Sequence, residues 1–267
     1  MTTLWSRNEG PDPWLEKFLA ADDHRLDQEL VSHDCRASLA HARMLHGIGI
    51  LSTEELAQLA EGLAEIQRLA KNGEFIITPS DEDCHTAIEN HLTAKYGEAG
   101  RKIHTGRSRN DQVLTALRLW EKQKLAELQT SLEGHIAALA RICAADGAIA
   151  IPGYSHMQAA MPTTVAIWLG SYADAAQDDL TLLATVAQLM DQCPLGTAAG
   201  FGVPVLDIDR EQTARELGFA KVQTNPLYAQ LSRGKLEGLV LGLCSQVMLG
   251  LNRLASDLIL FSTREFG

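Results

Sequence analysis

The sequence predicts an all-α fold, on three observations. Aromatic residues make up only 5% of the chain while hydrophobic residues reach 46%, much of that alanine and leucine, which suit helices better than sheets. Long stretches lack proline: from Asn110 to Asp146 there is none, and Gly134 is the single internal glycine. Apolar side chains also recur at helical intervals between recognisable caps. At 267 residues the chain can bury one large core or two modest ones.

From about Asp23 to Ile50, Leu26, Leu30, Leu39 and Leu45 keep helical spacing among charged neighbours, and Gly47 and Gly49 close the segment. Ser52-Thr-Glu-Glu55 has the form of a capping box; Leu56, Leu59, Leu63, Ile66 and Leu69 follow before Asn72-Gly73, which predicts a helix. Phe75 to Thr78 reads as a short extended piece. Pro79-Ser80 reads as the opening of a helix through Leu92, with Asp81, Glu82 and Asp83 in its first turn. Asn110 to Asp146 predicts a rod of about 50 Å at the standard rise. A second long helix is expected from Pro162, a favoured first-turn residue, to about Gln192, and a third from about Ser232 to Ser262. Between them Pro194-Leu-Gly-Thr-Ala-Ala-Gly200 is a small-residue loop, and Asp209 caps a short helix stopped by Gly218. These elements divide the chain into an N-terminal helical domain, 1–108, and a long-helix domain, 109–267.

The third long helix is apolar on every side: between Leu236 and Phe261 its only charges are Glu237, Arg253 and Asp257. Such a helix has to be surrounded. Its large side chains represent about 20–30 kcal/mol of burial, more than two other long helices can recover, so the missing neighbours are expected from other subunits or from sequence beyond this chain.

A formal net charge of −11 argues against a nucleic-acid binder, which needs broad positive surface. No charged segment followed by an apolar one opens the chain, and the uncharged apolar run Gly238 to Asn252 is too short for a bilayer. The expectation is a cytoplasmic protein without a membrane partner. Cys35, Cys84, Cys143, Cys193 and Cys244 are odd in number, scattered and never spaced C-x-x-C, which reads as reduced core thiols. The histidines show no H-E-x-x-H or comparable spacing, so no catalytic metal is expected.

One run reverses the local sign of charge. Arg101, Lys102, Arg107 and Arg109 fall within nine positions, 101–109, that hold no acid and overlap the run His104-Thr-Gly-Arg-Ser-Arg-Asn-Asp111. Guanidinium forks match carboxylates, Gly106 lets backbone approach a ligand, and Ser108 and Asn110 add short donors. Asn110 or Asp111 is placed to cap the following helix, whose free N–H groups favour an anion. The run reads as a carboxylate-binding site; the bland alternative is a solvated basic turn.

With that run in view, the chain resembles the argininosuccinate lyases of the fumarase/aspartase superfamily. The likeness rests on Asp34-x-x-x-Ser38, Glu82-Asp-Cys-His85, Lys102 through Gln112, Pro152-Gly-Tyr-Ser-His-Met-Gln158 leading to Pro162, Pro194-Leu-Gly196 and Asp209-Arg210. It implies a fumarase/aspartase-type fold, cofactor-free cleavage of argininosuccinate to arginine and fumarate by β-elimination, and a homotetramer whose long helices form a central bundle with active sites shared between subunits. Elimination needs a base, donors for the charge growing on a carboxylate, and an acid for the departing nitrogen. The resemblance makes His156 the acid/base group, which suits a side chain that titrates near neutrality. It implies substrate contacts from Ser108, Arg109, Asn110, Ser155, Asp83, His85 and Gln158, with Ser155 supplying a hydroxyl where threonine is usual.

Three departures are visible. Asp23 stands where many relatives have a serine contact, and Asn225 to Lys235 replaces a commoner Ser-Asp-Arg-Asp sequence. The mobile Gly-Ser-Ser-x-Met-Pro loop that supplies the serine base is not present. The chain is thus expected to be an N-terminal portion, inactive by itself. Two other readings stand beside this one: a non-catalytic helical oligomer derived from the lyase, and a different fumarate-releasing lyase of the superfamily.

Overall fold

The computed structural model describes Trp14 and residues 22–266. Residues 1–13 and 15–21, the opening of the expected first domain, lie outside the described residues. Helices dominate, and by contact the chain divides into two compact units: 1–120 with 191–233, and 121–190 with 234–267. The sequence suggested a division at 108/109; the units divide at Trp120/Glu121, and the segment 191–233 belongs with the N-terminal helices.

In the first unit a single turn at Asp23–Leu26 and a 3-10 turn at Asp27–Glu29 precede helix α1 (Val31–Gly47), so the long helix expected from Asp23 is interrupted. Helix α2 (Thr53–Lys71) opens on the anticipated capping box, with Ser52 and Glu55 each accepting the other's backbone N–H. Residues 75–78 form no strand. Pro79–Asp81 is a 3-10 turn rather than a helix start, because the chain reverses at Glu82 (φ 66°) and α3 (Cys84–Tyr96) begins only after Asp83 caps the N–H of Thr86. The short α4 (Glu98–Lys102) follows. One buried cluster joins α1, α2 and α3 through Val31, Met44, Leu45, Leu59, Leu63, Ile66, Ile88 and Leu92. Fully burying side chains of this kind contributes about 1.5–3 kcal/mol each.

Helix α5 (Arg109–Asp146) is 38 residues long, about 57 Å at 1.5 Å per residue. Its start belongs to the first unit, where Leu119 packs with Ala37, Ala40, Leu195, Leu217 and Phe219. The small-residue loop after Pro194 leads to α7 (Arg210–Leu217), capped by Asp209 and closed by Gly218 in the left-handed conformation as expected. Strands β3 (Gln192–Cys193) and β4 (Lys221–Val222) pair in parallel, and α8 (Pro226–Leu231) is capped by Asn225.

The second unit contains the rest of α5, a hairpin, α6 (Val165–Met190) and α9 (Lys235–Phe261). The hairpin was not anticipated. Strands β1 (Ala150–Ser155) and β2 (Gln158–Thr164) are antiparallel, and Pro162, expected to open the second long helix, pairs instead with Pro152 in the ladder. Proline's missing N–H excludes it from central strands, but every strand of a two-stranded hairpin is an edge. The three long helices share a core of Leu125, Leu132, Leu183, Val186, Met190, Leu236, Leu243 and Val247. Asp257 on α9 accepts from Trp168 Nε1 at 2.9 Å and Tyr172 Oη at 2.6 Å; burial, then that carboxylate, pushes the phenol up to about 12.

The Pro226–Phe261 stretch is long and apolar enough, by length and composition alone, to cross a membrane. Its apolarity has a second physical reading. Ile167, Leu182 and Leu189 on α6 and Leu241, Met248, Leu249, Leu258 and Ile259 on α9 all remain exposed, as expected of helices that need further neighbours.

Candidate functional site

The basic run does not present a block of free charge. Lys102 pairs with Glu55 at 2.5 Å and Arg101 with Glu98 at 2.7 Å. Arg107 turns inward, its side chain 1% exposed, donating to Ser38 Oγ at 2.9 Å and meeting Asp34 Oδ1 at 3.4 Å. Arg109 is half-buried, with Nε 3.1 Å from Asp83 Oδ2 and further bonds to Thr86 Oγ1 and Gln112 Oε1. The acids absent from the run arrive from other elements of the fold.

Asp34 is the hub beneath it. Burial by itself raises this carboxyl, but His85, at 3.2 Å through Nδ1, and then Arg107 outweigh burial and hold it at about 2. His85 is therefore seated below the surface, 0% exposed, against Asp34. The resemblance implies a place for it on the lining of a substrate site; the structure seats it beneath that surface, with Nδ1 toward the carboxylate. His41, beside the same cluster, contacts Thr105 O through Nε2 at 2.8 Å, and burial, then Arg107, push it down to about 3.

Above this foundation α5 begins. Ser108, rather than Asn110 or Asp111, is the capping residue: its Oγ accepts the N–H of Asn110 at 3.3 Å. Asp111 is fully buried and its carboxylate faces inward, accepting from Ser108 N at 3.0 Å, Gly196 N at 2.9 Å and Ala198 N at 3.0 Å. One side chain thus ties the start of the helix to the loop after Pro194. Gly196 is required there, since it has φ 84° and a Cβ would lie 2.9 Å from both Arg210 Cγ and Ile208 Cδ1. Arg210 in turn donates to Leu195 O and Gln223 O.

Asn110 is exposed at the helix start and its Oδ1 accepts from Arg233 Nη1 at 3.0 Å. A cation on the carbonyl side fixes the amide orientation and leaves Nδ2 as an outward donor. Arg233 is a site residue that sequence reading missed: it lies 123 positions away, and no local pattern connects the two. The surface that results carries a helix N-terminus, a hydroxyl, an amide donor and the Arg109 and Arg233 guanidinia, with Asp83 engaged by Arg109 and Asp111 by backbone N–H groups. That arrangement suits a small carboxylate.

The remaining expected residues lie elsewhere. Ser155 and Gln158 are paired across the hairpin and His156 and Met157 form its two-residue turn, with φ of 56° and 61°. Ser155 Oγ lies 2.7 Å from His156 Nδ1, and all of these side chains are exposed. Asp23 is exposed in the first turn.

Comparison with known proteins places this geometry in a family. A lyase family model matches residues 12–267. Argininosuccinate lyase of Thermotoga neapolitana is 50% identical over 271 residues, covering 99% of this chain and 66% of that protein. Argininosuccinate lyase of Xanthomonas oryzae pv. oryzae is 46% identical over 265 residues, covering 98% and 61%. The chain thus spans about three-fifths to two-thirds of the length of the curated relatives it matches. Among solved structures, an EDDS lyase variant with bound fumarate aligns with a TM-score of 0.82 at 25% identity, over 97% of this chain and 51% of that one. The helical architecture, with three long helices sharing one core, is the fold of these enzymes, and the chain belongs to the lyase family.

Proposed function

We propose that this chain is part of an argininosuccinate lyase, a carbon–nitrogen lyase that cleaves argininosuccinate to arginine and fumarate without a cofactor. The observation that carries the reading is the start of α5, where Asp111 spends its carboxylate on three backbone N–H groups and the outward donors belong to Ser108, Arg109 and Asn110. Those donors grip a carboxylate of the succinyl moiety and stabilise the negative charge that develops on it as the neighbouring carbon loses its proton. Losing one such preorganised donor typically costs about 2.7–4 kcal/mol of transition-state stabilisation. His156, with Ser155 on its Nδ1, exchanges a proton with the substrate; Gln158 and Asp83 complete the contacts.

The working unit in this reading is a cytoplasmic homotetramer, in which the exposed apolar residues of α6 and α9 meet their counterparts in a central bundle and each site draws on several subunits. The names of the relatives favour this over a non-catalytic oligomer or another fumarate-releasing lyase. Ligand-dependent thermal stabilisation tests it. Argininosuccinate is expected to raise the midpoint more than adenylosuccinate, and Asn110→Ala and Arg109→Ala to abolish the difference. Equal stabilisation by the two ligands, or a shift that survives both substitutions, overturns the proposal.

A further inference from the structure

Sequence spacing gave no metal-ligand pattern, yet the fold builds one from residues far apart. Asp27, Cys84 and His85 each bring one potential ligand atom into a cluster whose members all lie within 4.8 Å of one another. Asp27 comes from the turn before α1, 57 positions from Cys84, and its Oδ2 already accepts the Cys84 backbone N–H at 3.2 Å. Cys84 and His85 occupy the first turn of α3, both wholly buried. A carboxylate, a thiol and an imidazole form a donor set suited to zinc and its congeners.

The imidazole supplies the independent observation. His85 presents Nδ1 to the buried Asp34 carboxylate at 3.2 Å. Both of its ring nitrogens are buried with no hydrogen-bond partner among the described residues. Buried polar atoms in folded proteins are overwhelmingly satisfied, so an orphaned nitrogen calls for a ligand. A carboxylate beside the ring is how metal-binding histidines are commonly oriented, and Asp34 Oδ1 lies 3.2 Å from His85 Nδ1.

We infer that Asp27, Cys84 and His85 form a binding site for a zinc-type divalent cation, with Asp34 as its positioning residue. On binding, the Cys84 S–H bond breaks, its proton passes to solvent, and the sulfur, the His85 nitrogen and an Asp27 oxygen take three coordination positions, leaving the fourth to water. Asp27 is only partly buried and gives the ion its entry. The neighbours on the same turn are Asp83 and Thr86, the two partners of Arg109, so an ion here stiffens the base of the proposed carboxylate surface. The site does not depend on the lyase reading.

The experiment is titration of the purified chain with cadmium chloride, followed by the ultraviolet thiolate-to-metal charge-transfer band, and with zinc chloride, followed by X-ray absorption. One equivalent per chain is expected, with a shell of one sulfur at about 2.3 Å and nitrogen near 2.0–2.1 Å. Cys84→Ala should abolish the band, while Cys143→Ser and Cys244→Ser leave it intact. Asp34→Asn should weaken binding about 10–100-fold, and Asp27→Asn, at the accessible edge, should also weaken it if the Cys84 variant fails to fold. An oxygen-and-nitrogen-only shell, a band that persists in a folded Cys84→Ala chain, or affinity unchanged by Asp27→Asn overturns the assignment.

Discussion

Replacing Asp111 by alanine should uncouple the start of α5 from the loop after Pro194. The wild-type carboxylate accepts three backbone N–H groups, of Ser108, Gly196 and Ala198, at 2.9–3.0 Å. Gly196 is buried and the other two are half-buried. An orphaned buried donor costs about 1–3 kcal/mol; counting Gly196 in full and its neighbours in part gives about 3–5 kcal/mol. That is a large share of the 5–15 kcal/mol typical of a folded domain. Asp111→Asn keeps the volume but turns an amide N–H₂ toward at least one of the donors, so about half of that loss is expected. Urea denaturation gives the stability, and hydrogen exchange at residues 108, 196 and 198 localises the damage. A loss below about 1 kcal/mol for Asp111→Ala, with protection of those three amides unchanged, would refute the reasoning.

Four further outcomes follow from other parts of the structure. His41 is held at about 3 against an ordinary 6.5, so the unfolded chain binds the extra proton. Its stabilising effect is complete above pH 6.5 and is lost as pH falls toward 3, an upper bound on the order of 4–5 kcal/mol at 1.36 kcal/mol per pH unit. Urea midpoints of His41→Gln should accordingly vary less between pH 7 and pH 4 than those of wild type. Gly100→Ala places a Cβ 2.5 Å from the Leu92 backbone, which requires α3 and α4 to separate; a loss of about 1–3 kcal/mol or more is expected by thermal melting. Met157 has φ 61° without being glycine, so Met157→Gly should stabilise the hairpin by about 1 kcal/mol, read as slower exchange of the β1 and β2 amides. Arg233→Ala frees the Asn110 amide to rotate, and the stabilisation by argininosuccinate should fall while the unfolding free energy of the unliganded chain stays within about 0.5 kcal/mol of wild type.

Where local chemistry decides the structure, the sequence announces it. Ser52 and Glu55 lie three residues apart and satisfy each other's backbone; Asp209 and Gly218 bracket one short helix; the three long helices hold no proline. Where two local rules compete, tertiary context chooses. Pro162 is at home in a first helical turn or an edge strand, and pairing with Pro152 decides for the strand. Pro79 begins a helical turn, but the reversal at Glu82 stops it. Least legible are the partners of the charged run. Lys102 finds Glu55 and Arg107 finds Asp34 across dozens of residues, so a window that counts cations overstates how many face a ligand. The same blindness hid Arg233 and Asp27, whose places depend on which helices pack together.

The pairing of those cations also fixes how the site responds to ionic strength. Screening acts on exposed charge beyond about 8–10 Å at ordinary electrolyte concentrations, and all four cations in the run are paired with a neighbouring carboxylate. What remains for a ligand is mainly oriented peptide dipoles, a hydroxyl and an amide, read at contact distance. If the proposed carboxylate site holds, its capture of the anion is therefore expected to tolerate salt, with selectivity set by the shape of the donor array more than by long-range attraction.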